Sequence, residues 1–169
     1  MLDIRLGCGV ASIGDVVKAV FKEAKNAAFQ KRLSQIYNRK DDAIMIFQSN
    51  RHKQIFETER LYLRKPSKKA LSVLYLLTAD KALWQKTKPF LTGNGKVDLK
   101  GVHLGDVSTD SYALWKAVKE LQTGEKQISL CELADRGIVS DNAFRLIVQA
   151  VSIAHFGTSI LNNAEVRHD

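Results

Sequence analysis

Apolar residues recur at helical spacing from Ser12 onward. Ile13, Val16, Val17, Val20, Ala24, Ala27 and Ala28 share one face, with Lys18, Lys22 and Lys25 opposite. The pattern continues through Leu33, Ile36 and Tyr37 to a polar break, NRKDD, at 38–42. It predicts one helix over 12–38, opened by Ser12 and Asp15 as a capping pair. The apolar run Ala43 to Phe47 is too short for spacing to assign. Ser49 caps a second predicted helix that runs to about Lys65, with Ile55, Phe56, Tyr62 and Leu63 inward, and Pro66 ends it.

Ser67 opens KKALSVLYLL, whose near-continuous apolar surface predicts a buried helix. Ala79 to Lys88 either continues it or forms a short helix anchored by Trp84. PFLTGNGKVDLKGVHLG changes character, and its glycines predict a small β-hairpin near 91–104. Ser108, Thr109 and Asp110 can each cap the next helix, whose face is Leu114, Trp115, Val118 and Leu121 and whose stop is Gly124. Ser129 with Glu132 forms a capping box for a short helix ending at Gly137. Ser140 caps the last helix and Gly157 ends it. Apart from Asn142, its polar positions, Asp141, Arg145, Gln149, Ser152 and His155, make one narrow stripe, which places it in the middle of the core.

These elements predict a mainly α, single-domain helical bundle over 1–169 with a small β-hairpin insertion near 91–104. A basic N-terminal helix at 12–40 packs on, or extends from, a helical core at 41–160. Composition agrees: of 169 residues, 45% are hydrophobic and 26% charged, which is ordinary for a globular chain. No apolar run reaches membrane-spanning length, and the start does not resemble a signal peptide. Cys8 and Cys131 lack metal-ligand spacing and read as free buried thiols in a reducing compartment. The expected location is cytoplasmic, with no membrane partner, cofactor or metal.

Charge changes the picture more. The net charge is +8, and residues 18–69 carry fourteen Lys or Arg against five acids. Residues 70–169 carry eleven of each, so the excess lies wholly in the first 69 residues. Uneven positive charge attracts nucleic acid, anionic membrane or acidic protein surfaces.

Catalytic and nucleic-acid motifs fail on inspection. ELADRGIVSDNAFRLI invites comparison with a helix-turn-helix, but the glycine expected four residues after Ala134 is Ile138, with Gly137 one position early. The following helix opens with Asp141 and carries one Arg, a poor surface for base edges and phosphates. TGNGK at 92–96 lacks the earlier glycine and the following Ser or Thr of a phosphate loop, since those places hold Phe90 and Val97. In GCGVASIG at 7–14 the third glycine falls too late for a dinucleotide fingerprint. His52, His103, His155 and His168 have no metal-ligand spacing. Cys131 and His155 lie on adjacent predicted helices as a nucleophile and base would, but without an orienting third group. Asp41 and Asp42 read as a solvated pair.

The basic region remains. Its candidate binding residues are Lys18, Lys22, Lys25, Lys31, Arg32, Arg51, Arg60 and Arg64, and the plain alternative is a solvated face. Aromatic interleaving for stacking on single strands is thin, with Phe21, Phe29 and Tyr37 nearby.

Phe47-x-Ser49-x-x-His52-x-x-x-Phe56, followed by LYLLTAD, resembles uncharacterised small helical domain families of bacteria and their mobile elements. DVSTDSYALWKAVKELQ and ISLCELAD resemble their later helices, so the likeness spans 45–157. Ser49 stands where those families carry Asn, and the leading helix has no counterpart. The resemblance implies a compact α-rich accessory domain. Together these readings point to a non-enzymatic protein-interaction module, a phage or mobile-element accessory protein of the anti-defence kind. It docks a basic N-terminal surface on an acidic partner such as a host nucleic-acid enzyme. The alternative is a weakly sequence-specific nucleic-acid-binding protein.

Overall fold

The computed structural model describes residues 12–38 and 46–162. Cys8, the glycines at 7 and 9, Asp41, Asp42 and His168 lie outside the described residues, as does most of the run from 43 to 47. Nine α-helices are described: α1 Ile13–Val20, α2 Ala27–Tyr37, α3 Asn50–Arg60, α4 Lys68–Ala79 and α5 Lys81–Thr87, then α6 Thr109–Thr123, α7 Leu130–Ala134, α8 Asp141–Phe156 and α9 Ser159–Asn162. The helix starts are fixed locally. The hydroxyls of Ser12, Ser49, Ser67, Ser108, Ser129 and Ser140 each accept the backbone N–H three residues on. Ser12–Asp15 and Ser129–Glu132 close reciprocal capping boxes. Gly124, at φ 76°, takes the left-handed conformation that stops α6.

The single helix expected over 12–38 is two helices. Asn26 caps α2 by accepting Phe29 N–H at 2.9 Å. Gln30 reaches back, its Nε2 donating to the Phe21 carbonyl at 2.7 Å and the Ala24 carbonyl at 3.1 Å. The same carbonyls accept backbone N–H groups of the turn, Ala24 on Phe21 at 3.0 Å and Asn26 on Ala24 at 3.1 Å, so the break is held by local bonds that the apolar spacing does not register. Lys22 and Lys25 therefore sit on the connecting turn, and Lys18 alone of the three belongs to α1.

The second expected helix also ends early, at Arg60. The Arg64 N–H donates across the chain to the Gly93 carbonyl at 2.8 Å, which draws that backbone out of helical pairing. Tyr62, expected inward, is 75% exposed. Ala79 closes α4, and Lys81–Thr87 forms the separate helix α5, capped by Asp80 accepting Leu83 N–H, with Trp84 buried.

The β-hairpin expected near 91–104 does not form. Among the described residues there is one isolated antiparallel bridge, Leu91 with Val97, and no strand. Pairing is limited to the Thr92 N–H on the Lys96 carbonyl and the Asp98 N–H on the Phe90 carbonyl, and the Gln122 side chain takes the outward edge of Val97. Its Oε1 accepts Val97 N–H at 2.9 Å and its Nε2 donates to the Val97 carbonyl at 2.8 Å. What remains is a tight turn in which Thr92 N–H meets the Lys96 carbonyl at 2.8 Å.

The last long helix is central, as its narrow polar stripe implies. α8 packs on α4, α6 and α1; α4 also meets α3, α5 and α6, and α2 rests on α7. One contiguous cluster joins side chains from nearly all of these elements, including the fully buried Phe29, Phe56 and Phe144. Each such ring contributes on the order of 2 kcal/mol from burial.

A polar network crosses this core. Gln149 Oε1 accepts the Tyr37 hydroxyl at 3.0 Å, and Gln149 Nε2 donates to the Ile46 carbonyl at 3.0 Å and the Tyr75 hydroxyl oxygen at 2.8 Å. The Tyr75 hydroxyl itself donates to the Ile46 carbonyl. Burial pushes both phenols above their usual pKa, so they stay protonated donors. Beside them His52 is wholly buried. Its Nδ1 accepts Gln48 N–H at 3.0 Å and its Nε2 pairs with the Tyr75 carbonyl at 2.8 Å. This arrangement requires the neutral ring with the proton on Nε2. Burial lowers the His52 pKa to about 4, although the Tyr75 carbonyl favours the proton.

Replacing Gln149→Leu strands the Tyr37 hydroxyl and reduces the bonding at Ile46, so unfolding free energy falls by about 2–3 kcal/mol. Urea denaturation checks this, and a loss below about 0.5 kcal/mol would contradict the network's role. The unfolded chain takes up a His52 proton near pH 6.5, which the folded chain refuses until about 4. Stability therefore declines as pH falls through that window and levels off below it, with a total on the order of 3 kcal/mol. NMR titration of the His52 ring reads this directly: a midpoint near 4 is expected, and one near 6.5 would count against it.

Candidate functional site

The cations expected to form one binding surface are distributed among different elements and environments. Lys18 is half-buried and donates to Asn38 Oδ1 at 2.6 Å. Lys22, Lys25 and Lys31 are exposed on the α1–α2 turn and on α2. Arg51 and Arg60 are partly exposed on α3, where Arg60 lies 3.6 Å from Glu57. Arg64 is exposed on the connection that follows. The α1 and α2 helices rest on α8 and α7, whereas α3 rests on α4, so the two groups belong to different packing layers.

Arg32 faces inward. It is 2% exposed and its guanidinium donates to the Leu133 carbonyl at 2.6 Å, the Val139 carbonyl at 2.5 Å and Asp141 Oδ1 at 3.0 Å. It also stacks 4.8 Å over the Phe144 ring. Arg32 thus clamps the α7–α8 connection, the stretch compared with a helix-turn-helix, onto α2. Within that stretch α7 has five residues and α8 buries most of its surface, neither of which suits a reading head.

The densest exposed charge lies at the α3–α4 corner, where RLYLRKPSKK, residues 60–69, holds five cations and no acid. Leu61 is 81% exposed there, beside the exposed Tyr62. Lys65 adopts φ 44°, a left-handed conformation unusual for a side-chain-bearing residue just before proline. Lys68 lies back along the end of α8, its Nζ 3.5 Å from the His155 carbonyl.

The TGNGK turn closes against the same corner. Gly95 is left-handed at φ 87°, and a Cβ there would fall 2.8 Å from the Ala70 Cβ, so only glycine permits the approach. Between the turn and α4 is a cleft of about 250 Å³. Lys65, Lys69 and Lys96 line it with Ser67, Asn94 and Gln122, and no carboxylate is among its lining residues. A second cleft of about 300 Å³ is walled mainly by apolar groups, including Phe21, Leu121, Ile147 and Val151.

Cys131, expected to be buried, is exposed on α7 and meets the Asn26 side-chain amide at 3.4 Å. His155 is exposed in the last turn of α8. Neither lines either cleft. Glu132 is held at a pKa of about 2 by the Ser129 backbone N–H and the Lys116 ammonium, in keeping with its capping role. Among the described residues no group of three or more His, Cys, Asp or Glu could hold a metal ion, and no helix is long and apolar enough to cross a membrane.

Comparison with protein-family models, curated proteins and solved structures finds no match to the chain. The site is therefore read from geometry alone. Sequence reasoning missed Leu61 and Tyr62 because helical spacing assigned the segment to α3. It missed Lys96 because nothing local shows that the turn meets α4. The RKPSKK run was the one available signal.

Replacing Arg32→Leu leaves two carbonyls without their donor and is expected to cost about 3 kcal/mol in urea unfolding. Arg32→Lys should not restore it, because one ammonium cannot span three acceptors. Full rescue by lysine would show that charge alone, rather than the fork, makes the clamp.

Proposed function

We propose that this chain is a non-enzymatic interaction module that docks the basic side of its first 69 residues on an acidic partner protein. An accessory protein of a phage or mobile element, such as an anti-defence inhibitor, would act in this way. The observation that carries the reading is the exposed Leu61–Tyr62 pair set between Arg60 and Arg64. Exposed apolar side chains ringed by cations match the anatomy of a protein interface, where an aromatic anchor enters a pocket and arginines meet acids on the rim. The α3–α4 corner replaces the α1–α2 lysines as the centre of that surface.

Nucleic acid is the second reading, and the acid-free corner would attract phosphates. Two features weigh against it. Leu61 needs an apolar socket that a stacked strand does not provide. Within the 60–69 stretch Tyr62 is the one aromatic ring, whereas single-strand binders present successive aromatic platforms.

The test compares three immobilised proteins: the wild type, Leu61→Ser/Tyr62→Ser and Lys22→Glu/Lys25→Glu/Lys31→Glu. Host lysate is applied with and without nuclease. An acidic protein retained after nuclease by the wild type and the triple variant, but lost roughly tenfold or more by the Leu61/Tyr62 variant, supports the corner. Loss on nuclease treatment would transfer the function to nucleic acid. Loss only in the triple variant would return it to α1 and α2.

A further inference from the structure

We propose that the cleft between α4 and the TGNGK turn is a binding site for a phosphoryl group. Three ammonium side chains line it from two separated stretches of chain, Lys65 and Lys69 before and within α4 and Lys96 from the turn. Three exposed lysines border one concavity with no carboxylate in its lining, so the potential there is positive and uncompensated. A dianion compensates it. Phosphate carries −1.5 to −2 charges at neutral pH and three strong acceptor oxygens, so it can meet all three lysines at once. A carboxylate brings one charge and two oxygens, and a metal cation would add to the positive charge.

The remaining lining is suited to the same ligand. Ser67 and Asn94 supply neutral polar groups beside the lysines, while the Gln122 amide at the rim is engaged with Val97. The walls are also held in place. The Arg64–Gly93 backbone bond ties the two stretches together, and left-handed Gly95 lets the turn close on Ala70. The first-turn N–H groups of α4 add a favourable field from the same end. The TGNGK stretch thus acquires a role unlike that of the phosphate loop it fails to match. There the loop cradles phosphate with its own backbone, whereas here the turn delivers one lysine to a site completed by α4.

This inference is independent of partner docking, because it concerns the isolated protein and a small ligand. The experiment is an amide NMR titration of the full chain with inorganic phosphate, with adenosine monophosphate, and with sodium chloride at matched ionic strength. Saturable shifts at Ser67, Lys69, Asn94, Gly95 and Lys96 are expected with both phosphoryl ligands and not with chloride. Lys96→Gln and Lys69→Gln should each weaken binding roughly tenfold, with folded spectra retained, while Lys22→Gln/Lys25→Gln leaves it unchanged. Tighter binding of the nucleotide than of inorganic phosphate would assign a nucleotide as the source, and equal binding the free anion. Shifts that chloride reproduces, or that survive both single lysine variants at full affinity, would overturn the site.

Discussion

The amide of Gln149 lies wholly inside the protein, where no solvent can replace a bond it loses. It joins α8 to the Tyr37 hydroxyl on α2, to the Tyr75 hydroxyl on α4 and to the Ile46 carbonyl ahead of α3. Apolar packing between these helices is permissive, since ridges can slide by a turn at modest cost. A buried amide with every partner present is not permissive, because any slide leaves a donor or acceptor bare. The relative register of the layers therefore depends on this node. The α4 helix stands at the node's centre, and its first turn in turn places the lysines of the corner.

Electrostatics is used in two contrasting ways in this molecule. Arg32 has been taken out of water and given three oxygen acceptors and a ring, so its charge serves architecture. Lys65, Lys69 and Lys96 stand around open space without such partners in the lining. The net charge of +8 does not distinguish these cases, and neither does position along the chain. Whether a cation binds its own backbone or something else is decided by burial and by which carbonyls the fold leaves within reach.

Helix starts capped by serine were legible because capping is a three-residue affair: Ser49 and His52, or Ser129 and Glu132, declare themselves side by side, whereas the Asn26 start of α2 was not read. The central place of α8 was legible because a polar stripe that narrow admits no other packing. What stayed hidden was contact between distant positions made by polar side chains. Gln30 breaking the leading helix, Arg32 gripping Val139 and Arg64 N–H reaching Gly93 all look like surface chemistry in one dimension. For the site, the basic run at 64–69 was visible, but the turn that faces it was not. Lys18 and Arg32, read as candidate binding residues, find partners within the fold instead.

Gln122 has a consequence for the molecule's conduct in company. By presenting one oxygen and one N–H to Val97, its side chain imitates a neighbouring strand over a single residue. The bridged segment is thus finished off within its own chain and offers no free ladder at that residue to another copy. The exposed Leu61 and Tyr62 already give the chain a patch of apolar surface. Among the described residues this is the one bridged margin, and an amide closes it against edge-to-edge pairing with another copy.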